Sequence, residues 1–239
     1  MRNPAILPDK TQKMTRVRYT SIDLWRGVAC LMVILFHSTL YCESALDSPI
    51  SCFIALTKQM WLGVPMFFVI SGYCISASAD SARNNPFQGI SQYFWRRFRR
   101  IYPPYWIMLL LLCIASFTLE NVLQSGLLLH NGDHPMNPPW WRSWWQIFGN
   151  LTLTEEWRFR LFGDHRSMPL GVAWTLCYEE QFYALCGLFL FVSPKRFFHL
   201  AALTSVLSLP WFGSANIKGF FFDGYWLMFA SGILVYYSL

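Results

Sequence analysis

Apolar runs near the length of a bilayer crossing recur along this chain, at about 22–42, 60–79, 101–120, 173–193 and 219–238. A shorter one, about 197–212, ends at Pro210. A helix that crosses hydrocarbon needs about 20 consecutive apolar residues. The lipid interior offers no water to unpaired amides, so such runs enter it as helices. The pattern predicts an all-α polytopic membrane protein with about six transmembrane helices. Composition agrees, since 54% of the residues are hydrophobic and 13% charged, where a soluble domain carries about a quarter charged. The net charge of +6 is modest and has no RNA- or DNA-reading motif around it. The expected partner is a lipid bilayer and not nucleic acid.

Lys and Arg in short loops orient such a chain. Residues 1–21 form a basic tail with Arg2, Lys10, Lys13, Arg16 and Arg18. Arg83, Arg96, Arg97, Arg99 and Arg100 follow the second run, and Lys195 and Arg196 follow the fourth. These regions share one side if 144–153 does not cross, so the N-terminus is predicted cytoplasmic and the loop 121–172 outward-facing. The stretch 144–153, WWQIFGNLTL, is short for a crossing and predicts an interfacial or re-entrant helix. The charged residues inside the first run argue for an uncleaved span over a signal peptide. Seven Cys show no paired or metal-ligand spacing, and no metal site is expected. Cys42 and Cys52 would pair only if their loop faces an oxidising compartment. Asn150-Leu151-Thr152 matches a glycosylation sequon.

The costly residues of the first run share a helix face. Arg26 and His37 lie eleven residues apart, which on an α-helix is within about 20° of three full turns and about 16 Å along the axis. Asp23 precedes Arg26 by three residues and sits near the same face. Ionisable groups inside a membrane mark functional sites, because their burial is expensive. The second run contains Gly63, Pro65, Ser71 and Gly72, small or breaking residues that permit close helix approach or a cavity. Before the third run, Arg96 pairs in helical phase with Arg99, and Arg97 with Arg100. Arg is suited to bidentate phosphate binding, although juxtamembrane Arg also meets anionic lipid. Tyr102-Pro103-Pro104 predicts a sharp entry into that run. The fourth run carries Glu179 and Glu180, with Tyr183 four residues beyond Glu179. Adjacent helical positions are about 100° apart, so one carboxylate can face a cavity while the other pairs elsewhere. Asp223 is placed to cap the last run or to pair with Lys218.

Four motifs, SIDLWRGVACLMVILFHS, GVPMFFVISGYCIS, WRRFRRIYPPYW and WTLCYEEQFY, occur in that order over about residues 19–190. Together they resemble the membrane-bound acyltransferase-3 family, whose members O-acylate envelope and exported saccharides. Arg26 and His37 match its Arg-x10-His signature, 96–100 its Arg-x-x-Arg motif, and 179–183 its Glu-Glu-Gln-Phe-Tyr block. Thr175 and Cys177 stand where Ser is frequent. Family members have roughly ten spans, each of about 20 residues, so the resemblance implies a chain corresponding to the front part of that bundle. The domain would be 22–239, and a partner would supply the remaining spans.

The resemblance implies acyl transfer, usually acetyl, from acyl-CoA to a hydroxyl of a saccharide or lipid-linked saccharide such as a polysaccharide or lipopolysaccharide. It implies no bound cofactor, with acetyl-CoA as donor substrate, and the bacterial inner membrane as the location. His37 would be the general base, or alternatively a covalent relay, and Glu179 or Glu180 would orient it or bind the acceptor. Arg96, Arg97, Arg99 and Arg100 would hold the donor phosphates, and Asp23 would hold Arg26. Tyr183 and Ser71 join the donor- and substrate-binding set. The rival expectations are a transporter or flippase with an Arg26–His37–Glu179 path, and an inactive truncated remnant.

Overall fold

The computed structural model describes residues 20–39, 49–82, 86–122, 143–163, 165–214 and 218–239. Cys42, His130, Asp133 and His134 lie outside the described residues. The regular elements among the described residues are all helices, with no strand among them. The α-helices are α1 (Thr20–Thr39), α2 (Pro49–Lys58), α3 (Gly63–Ala82), α4 (Pro86–Phe117), α5 (Trp144–Leu151), α6 (Glu155–Phe162), α7 (Trp174–Val192), α8 (Phe197–Ser208) and α9 (Tyr225–Ser238).

Among the described residues three segments are long and apolar enough to cross a membrane: Ser21–Thr39, Cys52–Asp80 and Gly89–Phe117. The expected count of six is therefore not reached on length and composition. In α7, Glu179, Glu180 and Gln181 dilute the apolar character. The 12 residues of α8 and 14 of α9 span about 18 and 21 Å, short of a hydrocarbon core of about 30 Å. The run expected to begin at 219 starts its helix only at Tyr225, because Gly219 (φ 100°) and Gly224 (φ 127°) hold a turn before it. The run at 197–212 closes in a 3-10 turn, Leu209–Trp211, built around Pro210.

Pro103 and Pro104 do not open a span. They lie inside α4, which runs unbroken from Pro86 through the arginines to Phe117. A helix accepts such a pair only by leaving two i−4 carbonyls, those of Arg99 and Arg100, without their amide donors.

The central helix is α3, which packs against α1, α4, α7 and α9. Its closest approach is to α9. A Cβ at Gly72 would collide with the carbonyl of Phe229, and one at Gly232 with the carbonyl of Val69. Two glycines thus set the parallel backbones of α3 and α9 in contact, from Phe68 beside Tyr225 to Asp80 beside Tyr237, a small-residue crossing of the kind that substitutes for hydrophobic drive in lipid. Around it Phe68, Phe182, Trp226 and Phe229 are buried, with ring centroids 5.4 Å apart for Phe68–Phe182 and 4.9 Å for Phe182–Phe229. The α1–α3 contact is also close, since a Cβ at Gly63 would lie 2.7 Å from the Ala29 carbonyl oxygen.

The stretch 144–153 forms α5 and the turn after it. Eight residues reach about 12 Å, so it does not cross. Ser143 caps it by accepting from the Gln146 amide, and Gln146 returns the bond. The α5–α6 hairpin docks on α4, where Tyr102, Tyr105 and Trp106 donate to the carbonyls of Thr152, Asn150 and Leu151. Inside the hairpin Arg158 and Glu155 form a buried pair at 2.9 Å, and Glu155 also accepts from the Ser167 amide. Asn150 is 5% exposed, and its amide donates to the carbonyls of Gln146 and Ser167.

Candidate active site

One face of α3 presents Ser71, Cys74 and Ser78, spaced i, i+3 and i+7. Each receives a polar side chain from another helix. Ser71 donates to Glu179 Oε1 of α7 at 3.0 Å. Arg26 of α1 donates to Cys74 Sγ at 3.1 Å. Arg97 of α4 donates to Ser78 Oγ at 3.0 Å. Small side chains leave room on this face for the long ones arriving from three directions.

Glu179 is the hub. Tyr183 donates to its Oε1 from one turn along α7, and Arg100 Nη2 approaches the same oxygen at 3.8 Å. The other oxygen, Oε2, has no protein partner among the described residues. A carboxylate anchored through one oxygen keeps the second as an acceptor in a fixed direction. Arg97 lies below, its guanidinium 4.9 Å from the Tyr183 ring centre and 5.7 Å from that of Tyr93, contacts of cation–π range.

A cavity of about 640 Å³ opens beside this cluster. His37, Ser71, Arg100 and Glu179 line it, from α1, α3, α4 and α7 respectively. The rest of the wall is largely apolar, with Phe36, Trp61, Phe68, Met108, Trp174 and Tyr225 prominent. An apolar cleft with few convergent polar groups is the usual form of a small-molecule site. His37 stands in the last turn of α1, because the helix ends at Thr39. It is therefore near the end of the helix rather than deep within it, and far from Arg26.

The predicted residues are thus sorted. His37, Ser71, Arg100 and Glu179 share the cavity, and Tyr183 supports Glu179 from a buried position. Arg26 and Arg97 sit on the α3 face outside the cavity wall. Asp23 pairs with Arg26 at 3.6 Å but is 59% exposed. Glu180 does not line the cavity; it lies on the side of Tyr102, whose hydroxyl donates to the Thr152 carbonyl. Arg96 and Arg99 are exposed and off the cavity, the former donating to Gln92 and the latter over the Trp95 ring.

Sequence reasoning missed the fixture of the wall. Tyr178 donates to Asp223 and accepts from the Gly219 amide, and Asp223 also accepts from the Tyr225 amide at the start of α9, so of its two expected roles it takes the one at the helix start and not the pair with Lys218. Gln181 donates to the Gly219 carbonyl and accepts from the Phe221 amide. These bonds seat the turn before α9 and with it Tyr225, which packs on Trp174 and Tyr178. The signal available was the polar run Tyr178–Gln181 itself, but nothing in it names residues 219–223 as the target. Among the described residues no cluster of His, Cys, Asp and Glu is arranged to hold a metal.

Comparison with known proteins matches the family model of the acyltransferase-3 type, an acyltransferase domain, over residues 19–239. The chain is 28% identical over 218 residues to the peptidoglycan O-acetyltransferase OatA of Listeria monocytogenes, covering 88% of this chain and 31% of that one. It is 35% identical over 152 residues to the putative peptidoglycan O-acetyltransferase YrhL of Bacillus subtilis, covering 62% of this chain and 22% of that one. A putative O-acetyltransferase of Staphylococcus aureus is 27% identical over 177 residues, 72% of this chain and 24% of its own. The chain spans less than a third of the length of these relatives. No solved structure matches it. With the family model covering nearly the whole chain and the motif residues gathered around one cavity, the chain belongs to the acyltransferase-3 family of membrane proteins.

Proposed function

We propose that this chain is the membrane-embedded part of an O-acyltransferase that moves an acyl group, in the first instance acetyl, from acyl-CoA to a hydroxyl of an envelope saccharide. The observation that carries the reading is the convergence of His37, Ser71, Arg100 and Glu179 from four helices on one cavity. The named relatives favour cell-wall glycan over lipopolysaccharide as the acceptor class. The distribution of Lys and Arg favours a cytoplasmic N-terminus in an inner membrane, with donor entering from the side of Arg26 and Arg97.

Arg26, Arg97 and Arg100 meet the donor's phosphates, since Arg presents several fixed donors to a phosphate oxygen. The acyl end lies in the cavity toward His37. His37 takes the proton from the acceptor hydroxyl, and the oxygen attacks the thioester carbonyl. The tetrahedral intermediate then breaks its C–S bond. CoA leaves as a thiolate that takes up a proton, and the acyl ester remains on the sugar. Glu179 Oε2 accepts from the incoming acceptor, while Tyr183, Ser71 and Arg100 fix its other oxygen.

The test uses the full chain, purified with its lipid, given acetyl-CoA and a muropeptide acceptor. CoA thiol release and O-acetyl product are expected from the wild type and lost in a folded His37→Ala protein. Full transfer by His37→Ala sinks the assignment. Absence of any thiol release by wild type, with substrate movement across vesicles instead, would favour a transporter.

A further inference from the structure

The outward side of α4 carries a second arrangement that the acyl-transfer chemistry does not use. Arg96 and Arg99 are exposed there, and neither has a carboxylate partner among the described residues. Arg96 donates to the neutral Gln92 side chain, and Arg99 lies 6.0 Å from the Trp95 ring centre. Both sit within Gly89–Phe117, a segment apolar enough to cross a membrane. An unpaired guanidinium at such a surface is costly unless it reaches an anionic headgroup.

Beside these cations runs a ladder of rings. Trp95, Phe98, Tyr102 and Trp106 are spaced three, four and four residues apart, which puts them on one helix face. Their centroids are 5.7 Å apart for Trp95–Phe98, 5.0 Å for Phe98–Tyr102 and 5.4 Å for Tyr102–Trp106. The ladder covers about 16 Å of helix. Its far end is fixed by Trp106 and Tyr102 donating to the carbonyls of Leu151 and Thr152 in the α5–α6 hairpin. The result is a firm apolar strip with two positive charges at one end that no carboxylate of the described residues compensates.

We propose that this strip binds one anionic phospholipid, its phosphate on Arg96 and Arg99 and an acyl chain along Trp95, Phe98, Tyr102 and Trp106. A zwitterionic lipid lacks the net charge to answer two arginines. A soluble anion leaves the ring ladder unused. The proposal stands apart from the acyl-transfer reading, because neither arginine lines the cavity.

Native mass spectrometry of the full chain in mild detergent tests it, with phosphatidylglycerol and phosphatidylcholine supplied in equal amounts. Wild type is expected to retain phosphatidylglycerol over phosphatidylcholine by at least about fivefold. R96Q/R99Q is expected to bring the two to parity, and R96K/R99K to keep most of the preference. Equal retention of both lipids by wild type overturns the proposal, as does an undiminished preference in folded R96Q/R99Q. If R96Q/R99Q does not fold, a photoactivatable phosphatidylglycerol on wild type decides. Labelling within residues 93–110 is expected, and labelling confined elsewhere overturns the site.

Discussion

Arg97 and Arg100 on α4 meet other helices, whereas among the described residues Arg96 and Arg99, one position earlier in each case, meet only their own. Arg97 has Ser78 and two aromatic rings, and Arg100 has Glu179. Among the described residues Arg96 has a glutamine of its own helix and Arg99 a ring. A motif that counts four arginines treats them alike. The 100° per residue of the helix divides them into a pair facing polar groups of α3 and α7 and a pair facing outward. Adjacent Glu179 and Glu180 divide in the same way, one into the cavity and one toward Tyr102. Which residues of this helix bundle reach the cavity is therefore decided by phase as much as by composition.

The largest expected effect lies on the cavity side. His37→Ala should lower O-acetyl transfer by about 10²–10⁴-fold, the range for removing a general base. Thiol release measured with the protein confirmed as folded checks it. Wild-type rates would shift the chemistry to the α3 cluster and break the division between cavity and outer face. The two carboxylates come next. Glu179→Gln should cost about 10²-fold in kcat, because it strands Arg100 and loses an anchored acceptor. Glu180→Gln should cost less than about tenfold, since Glu180 does not line the cavity. Equal losses from both would mean that facing the cavity does not separate them.

The arginines sharpen the same contrast through donor binding. Arg100→Ala and Arg97→Ala should each raise the acyl-CoA KM by about 10–30-fold, as loss of a charge-assisted contact does. Arg99→Ala should raise it by less than about threefold. Titrating donor at saturating acceptor gives the KM. A rise for Arg99→Ala as large as for Arg100→Ala would place the phosphates on the outer face.

Much of this division was legible beforehand, because the spacing of 96 with 99 and of 97 with 100, and of 179 against 180, is helical arithmetic. Which member of each set faces inward was not, since that depends on the rotation of α4 and α7 against α3. Helix limits were read least well. Pro103-Pro104 stood as a boundary by local propensity, yet α4 passes through them with neighbours on both sides. Likewise the Glu155–Arg158 pair and the Tyr178–Asp223 bond join residues whose meaning appears only when the hairpin and the 219–224 turn close on α7. The single-sequence pattern shows that such groups exist and are costly, but their partners lie up to 108 residues away.

The smallest effect is expected where the two regions meet. Arg26 reaches inward to Cys74, but its ion partner Asp23 is more than half exposed and 3.6 Å away. An exposed pair of that kind contributes little, because water screens it and two flexible side chains must be held. Asp23→Asn should therefore change donor KM by no more than about twofold, and the change should shrink further at high salt. Arg26→Gln should act much more strongly, since it empties the Cys74 contact as well. Measuring both at low and high ionic strength separates the outer half of this contact from the inner. A large, salt-independent loss in Asp23→Asn would show that Asp23 holds Arg26 in place for the donor and belongs with the inner set.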